Sequence, residues 1–532
     1  MGTLWLGRVR TMVNENDVQE AIYVENGLIQ EVGKAFVLKD KYKYCIDQII
    51  NMHDKTIFPG FVDSHLHILA NGLKLSRLDL STVTSSEEMK ELLIRRVRET
   101  PTNQWVLGDA WNENNFPDRK IFHRRELDAI APHHPMALTR VCQHAILANS
   151  LALAEAGIDE NTPDPPGGII VRDADGKPTG LLLDQAKFLL TEVIPQQTDA
   201  ELDHICQTSI DYLLSVGCVG GHSEDLNYYG GFTRTLNAYR RILNQTNRRF
   251  RLHLLVHHEV VDDMHQAGWT SDSKIGDIEF GAMKIFADGA FGGRTALLRH
   301  PYNDVPETNG VPIHKPEELK KLVHKARTYQ MPVAIHAIGD LALEYAVDAI
   351  ETYPPPKGKR DRLIHGQLVP IDLRERIKKL PAAIDIQPQF VASDFPWVIE
   401  RLGENRLPDA YAWKTLINEG IVCAGGSDAP IELANPLSGI YSAVTRKKPS
   451  ENHQGYGPEQ KLSVYDAVKL YTYGSAFIIS MEGKTGRIAP GYQADFTILN
   501  KDIISIPAEE ILKTKVACTV VDNQIVYHNK SV

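Results

Sequence analysis

Short apolar runs bounded by glycine, proline or charged residues recur along the chain, and from about residue 200 they alternate with stretches of helical spacing. Residues 200–216 place Leu202, Ile205, Ile210, Leu213 and Leu214 on one helical face and stop at Gly217, a usual helix terminator. A strand is predicted next at 218–221, followed by strands at 251–257, 282–287, 332–336, 362–365, 383–387 and 421–427. Helical patterns at 316–329 and 340–352 fill two of the gaps. With a first strand at 57–63 this makes eight strand-then-helix units, the pattern of a parallel sheet closed into a (β/α)8 barrel of the TIM type.

Two regions depart from that alternation. Between the first and second barrel strands, residues 75–197 far exceed one crossover helix and read as an inserted subdomain. It has a helix at 85–100, a turn-rich stretch at 108–117 and a hairpin around Asp175-Gly176. The chain ends instead carry short alternating strands with Asn-Gly or Asp-Asn turns, at Ala21–Gln30, Asp495–Leu499 and Val516–Tyr527. These predict one small composite β-sandwich from residues 1–58 and 479–532, leaving 59–478 for the barrel.

Length and composition agree with this division. A chain of 532 residues exceeds one ordinary core, and 43% hydrophobic with 24% charged residues is usual for a soluble globular protein. A net charge of −10 without a long Lys/Arg block gives no electrostatic footprint for nucleic acid or for an anionic membrane surface. The first residues lack a charged segment followed by an apolar core, and no apolar run of about 18 residues occurs, so a cytoplasmic location is expected. Six cysteines without a CxxC pair fit reduced thiols, which leaves imidazole and carboxylate as the metal-binding groups.

The sharpest local chemistry is His65 and His67 in Pro59-Gly-Phe-Val-Asp-Ser-His-Leu-His67. Alternation along a strand turns both imidazoles to one face, at the carboxyl end of the first barrel strand, where barrel active sites are built. Imidazole suits zinc, iron, nickel and copper, so the pair does not choose its metal. Lys284 alternates with Met283 and Ile285 and should point into the barrel, where a lone ammonium is costly. It is either paired with an acid such as Asp288 or carbamylated by carbon dioxide into an anionic bridge between two cations. His336 and His365 end strands and could each be a core histidine; Asp428 could be a turn residue, although it follows the last barrel strand. His222 also falls at a strand end and is a candidate pocket residue.

These residues carry a resemblance to the amidohydrolase superfamily, in the group of YtcJ-like proteins and N-substituted formamide deformylases. Besides residues 59–67, the matching segments include Arg140 with His144, Asn149-Ser-Leu-Ala-Leu153, Pro165-Pro-Gly-Gly168, Thr179-Gly-Leu-Leu-Leu183 and Lys284-Ile-Phe-Ala-Asp-Gly289. Further on come His336-Ala-Ile-Gly-Asp340, His365, Gly426-Ser-Asp-Ala-Pro430 and the run 486–495. The chain departs from the group at Gly108–Phe116, at Cys218–Asp225 and at Asp184, where a Glu is common, and substrate identity is therefore open.

The resemblance implies a metal site of His65, His67, Lys284, His336, His365 and Asp428, holding two divalent ions, with zinc expected, and requiring carbon dioxide or bicarbonate for Lys284. Coordination lowers the pKa of water from about 15.7 to roughly 7 and so supplies a nucleophile. Asp428 would carry its proton to the leaving nitrogen. Trp111, Arg140, His144, His222 and Asp288 are candidate substrate-binding residues. The implied substrate is a small-molecule amide, a formamide or N-acyl amine; neither nucleic acid nor membrane is a partner, and at most a second copy of the chain completes a homodimer. Two alternatives stand beside this reading. A mononuclear ring deaminase or cyclic amidase usually needs a Glu shortly after the strand-five histidine, where this chain has Ala337-Ile-Gly-Asp340. A non-catalytic regulatory descendant should have lost ligands, and all six are present.

Overall fold

Eight apolar runs form the staves of one parallel sheet: β1 (Phe61–Leu66), β2 (Cys218–Ser223), β3 (Arg251–His257), β4 (Ile278–Phe286), β5 (Val333–Ala337), β6 (Asp361–His365), β7 (Ala382–Ile386) and β8 (Cys423–Gly425). The computed structural model describes residues 2–142, 144–244 and 248–532. Each strand pairs in parallel with the next in chain order, from β1 to β8. Leu254, Val256, Met283, Ile285, Val333, Ile335, Leu363 and Ile384 are buried, as strands covered on both faces require.

The seam between β8 and β1 is closed by loop contacts. The Asp63 carboxylate accepts the Ser427 N–H, Asp428 N donates to His65 O at 2.7 Å, and His67 N donates to Ala429 O at 2.8 Å. Such an approach needs a glycine: a Cβ on Gly426 would lie 2.7 Å from His65 N. The last strand is correspondingly shorter than the predicted 421–427: Gly426 still donates its N–H to Ile386 O at 2.9 Å, and from Ser427 onward the chain turns to make these contacts.

The predicted first strand, 57–63, divides at Gly60. Ile57, Phe58 and Pro59 end the strand Gln48–Pro59, which pairs with Phe496–Leu499 outside the barrel, while β1 starts at Phe61. Gly60 donates its N–H to Asp495 O, and a Cβ there would meet Val219 at 2.4 Å. An uninterrupted apolar run does not show where one sheet hands the chain to another.

Both chain ends build a seven-stranded sheet in the order Gln524–His528, Val516–Val521, Phe496–Leu499, Gln48–Pro59, Gly2–Arg10, Val18–Glu25, Leu28–Gly33. Trp5, Ile22, Ile57, Phe496 and Val520 pack together in one cluster; Leu4, Leu6 and Tyr23 pack with Leu38 of the helix Ala35–Lys41 in another.

Gly72–Thr208 forms a compact unit of its own. Its six-stranded sheet runs Gly168–Arg172, Pro178–Asp184, Ala145–Ala148, Met136–Arg140, Val106–Trp111, Leu78–Asp79. The first two form the hairpin expected around Gly176, whose φ of +79° suits glycine. The helix Ser86–Glu99 starts where Ser85 accepts the Glu88 N–H. Among the described residues no helix is long and apolar enough to cross a membrane, and all six cysteines are free.

Candidate metal centre

The carboxyl ends of five strands bring six side chains together. His65 lies in β1 and His67 just beyond it, Lys284 in β4, His336 in β5, His365 at the end of β6, and Asp428 three residues past β8. Nε2 of His65 and Nε2 of His67 each stand 3.4 Å from Asp428 Oδ1, and Lys284 Nζ lies 3.2 Å from His65 Nε2. The His365 ring is 5.9 Å from that of His65 and 4.5 Å from that of His336, which links all six. Backbone strain gathers here too, because His365 and Asp428 adopt left-handed φ of +75° and +54°, unfavourable for side chains other than glycine.

Outer partners fix which nitrogens face inward. His67 Nδ1 lies 2.6 Å from the Glu224 carbonyl, His365 Nδ1 lies 2.7 Å from Gln387 Oε1, and His336 Nε2 lies 3.0 Å from the Gly289 carbonyl. Each of these nitrogens faces an acceptor, which turns the other ring nitrogen inward, the arrangement that orients a histidine for a metal.

Ligand atoms of His65, His67 and Asp428 lie within 4.8 Å of one another, and two imidazoles with one carboxylate suit a divalent transition-metal cation. The electrostatics point the same way. Burial opposes a charge on His67, yet the Asp428 carboxylate outweighs it and raises the imidazole pKa to about 9. Asp428 is in turn held below the usual carboxylate range, burial being outweighed by His67, His365 and Lys284. The site thus favours a positive charge between these groups. His65 and His336 are pushed well below the ordinary histidine value and His365 to about 4, in each case chiefly by burial.

Lys284 is fully buried, and burial lowers its pKa to about 8. Among the described residues it makes no ion pair, so the alternative of pairing with Asp288 is not realised. Asp288 accepts backbone N–H groups from Leu297, Ile338 and Gly339 at 2.8, 3.0 and 2.8 Å, and lies 3.5 Å from His336. Its carboxylate is committed to holding the loops after β4 and β5. His222 turns away from the six, its ring 5.0 Å from that of His253, and lines a cavity with Gly60, Val219 and Arg251, where the strands begin.

The remaining candidates belong to the Gly72–Thr208 unit. Trp111 is buried and donates Nε1–H to Leu138 O at 2.9 Å. Arg140 grips Glu113 through two hydrogen bonds, at 2.9 and 2.8 Å, and covers the Trp111 ring. His144 is exposed, with Nδ1 3.1 Å from Asp184 Oδ1.

Sequence reasoning passed over Glu224 and Gln387. The strand-end position that singled out His222 applies equally to Glu224 two residues later, and Gln387 directly follows β7. Both face the candidate ligands from behind, Glu224 through its backbone carbonyl and Gln387 through Oε1, at ring nitrogens that point outward.

Comparison with known proteins follows this geometry. A family model described as "Amidohydrolase family" matches residues 48–527. YtcJ of Bacillus subtilis (strain 168) is 49% identical over 529 residues, covering 99% of both chains. The N-substituted formamide deformylase of Arthrobacter pascens is 27% identical over 543 residues, covering 98% of this chain and 97% of the other. Among solved structures, an uncharacterized metal-dependent hydrolase from Pyrococcus horikoshii superposes with a TM-score of 0.80 at 28% identity, covering 96% of this chain and 99% of that one.

Proposed function

The chain belongs to the amidohydrolase family of metal-dependent hydrolases, and from that premise we propose that it hydrolyses the C–N bond of a small linear amide, a formamide or an N-acyl amine. The observation that carries this reading is the convergence of His65, His67, Lys284, His336, His365 and Asp428, with three of the four imidazoles turned by outer acceptors. The formamide choice draws support from the Arthrobacter relative, whose name gives its substrate.

In this reading His65, His67 and Asp428 would hold one divalent cation, most simply zinc, and His336 and His365 would hold a second, with carbamylated Lys284 as a further ligand. When bound, the cations make water nucleophilic at neutral pH and polarise the carbonyl oxygen of the substrate. The chain's own part is to place and move protons. Asp428, kept ionised by its neighbours, takes a proton from the attacking water. The same carboxylate then gives that proton to the leaving nitrogen, since an amine departs only when protonated. Lys284 at about 8 keeps part of its amine neutral near neutral pH, and the neutral amine is the form that adds carbon dioxide.

A ring-deaminating alternative lacks its acid. Asp340, the first carboxylate after His336, accepts the backbone N–H groups of Arg299 and Leu341 at 2.9 and 3.1 Å and stays with its helix. The test is amine release from a panel of formamides, N-acyl amines, lactams and esters, using protein loaded with zinc and bicarbonate. The proposal expects amine and acid in equal amounts from a linear amide. A fully loaded protein inert on the whole panel, or active only in releasing ammonia from a ring, would sink it.

A further inference from the structure

The inner wall of the barrel mouth carries one more histidine, His257, the last residue of β3, which has no part in the reaction set out above. It pairs in register with Lys284 of β4, so the two side chains leave the sheet on the same face, and Lys284 reaches inward to His65. Phe286, two residues after Lys284, shares that face. Its ring centre lies 4.5 Å from Lys284 Nζ, 5.2 Å from the His336 ring and 5.9 Å from the His257 ring. On the other side the Tyr228 ring stands 6.0 Å from His257. The Tyr228 hydroxyl donates at 3.0 Å to Glu224, whose backbone carbonyl lies against His67. Two short routes therefore join His257 to the candidate ligands, one along β4 and one through the loop after β2.

Hydrogen bonding settles which nitrogen of this ring is a donor. Nδ1 accepts the Glu259 backbone N–H at 3.3 Å, which puts the proton on Nε2. The Glu259 carboxylate, 3.7 Å from the same Nδ1, already accepts from the Asn227 amide at 2.7 Å. Nε2–H has no hydrogen-bond partner among the described residues. Unlike Nδ1 of the adjacent His258, it is not one of the unmatched nitrogens sealed in the interior. With the residue only 6% exposed, a mostly buried ring keeps one accessible donor.

We propose that His257 is a further catalytic residue, whose Nε2–H donates to the carbonyl oxygen of the substrate, with the rings of Tyr228 and Phe286 flanking the planar amide. A formamide or simple N-acyl amine offers one strong acceptor, its carbonyl oxygen, so an open donor beside the candidate ligands has one group to hold. That oxygen gains negative charge as water adds to the carbon, and a donor already in place then binds it more strongly. No proton leaves His257: the water's proton goes to Asp428, and the Nε2–H bond stays intact. The geometry is that of the barrel mouth itself, while the choice of substrate group rests on the proposed function.

A ketone separates this contact from the reaction. 4-Phenylbutan-2-one keeps the carbonyl of an N-benzyl amide but has no C–N bond to break, and it is titrated calorimetrically into the zinc-loaded full chain. His257→Phe, which keeps a ring and drops the donor, should weaken it about fivefold, the worth of one hydrogen bond. His257→Gln restores an N–H and should recover most of that loss, and both variants should hold as much zinc as wild type. On an amide that the wild-type chain hydrolyses, His257→Phe should lower kcat about 10²- to 10³-fold, as for loss of one oxyanion donor, and change KM far less. Turnover or ketone binding that ignores His257→Phe, no ketone binding at all, or zinc lost with the ring would overturn the assignment and leave the hydrolase standing. A chain inert on every amide whose ketone binding still depends on His257 would sink the proposed function and keep the carbonyl contact. Should the Phe variant fail to fold, ¹⁵N-histidine spectra of the native chain decide: a ring N–H signal moved downfield by the ketone supports the proposal, and unmoved signals overturn it.

Discussion

The Asp63 carboxylate accepts the Ser427 backbone N–H with both oxygens, at 3.1 and 3.2 Å, and this contact fastens the last barrel strand to the first. Asp63 also accepts the His65 N–H at 3.1 Å, so one buried side chain ties the barrel seam to the first candidate metal ligand. Asp63→Ala would strand two buried N–H groups, each costing about 1–3 kcal/mol. It should lower the thermal midpoint and the bound zinc together. Asp63→Asn keeps one acceptor oxygen and should lose less of both. Calorimetric melting with metal analysis checks this, and an Ala variant that melts like wild type would show the seam to be held elsewhere.

Lys284 has no acid partner to neutralise it among the described residues, and its amine faces His65 in a fully buried setting. Protein prepared with bicarbonate should therefore bind more zinc than protein prepared without it, and intact mass should rise by one carbon dioxide. Lys284→Met should remove the bicarbonate response while leaving the His65, His67 and Asp428 ion in place. A zinc content that ignores bicarbonate in the wild-type chain would end the carbamylation reading.

Asp428 is the proposed proton carrier as well as a ligand. Asp428→Asn retains an oxygen but cannot take a proton, and general acid–base catalysis is worth about 10²- to 10⁴-fold. Turnover is expected to fall by at least that factor with zinc still bound. Steady-state rates beside metal analysis test it, and near-normal kcat in the Asn variant would reassign the shuttle.

The location of these groups was readable because two regularities of barrels act together: side chains alternate along a strand, and loops at the carboxyl ends of strands share one mouth. His65, Lys284, His336 and His365 follow from those rules. Contacts that depend on a third element do not. Nothing local to Asp288 shows that three backbone N–H groups from the loops after β4 and β5 will claim its carboxylate instead of Lys284. The division at Gly60 was hidden for a similar reason, since Ile57 and Phe61 are equally apolar while facing different sheets. His222 shows the limit of the strand-end rule, because its ring leans toward His253 and the floor cavity.

His253 ties the stability of the barrel floor to pH. Burial, reinforced by the charge of Arg362, lowers its pKa from 6.5 to about 3, so the folded chain keeps this imidazole neutral. Once unfolded, the ring takes a proton near its ordinary value. Its contribution to stability is therefore complete above about pH 6.5 and drains away as pH falls toward 3, by up to about 1.4 kcal/mol per pH unit. His222 is shifted in the same direction and adds to the slope. His253→Gln removes one of these titrations while keeping a polar side chain in the space beside Gly281. Urea midpoints measured at pH 7, 6 and 5 should fall less steeply for the variant than for wild type. Parallel slopes would mean that the floor histidine is protonated without cost, which water reaching its ring would explain and a dry, buried imidazole would not.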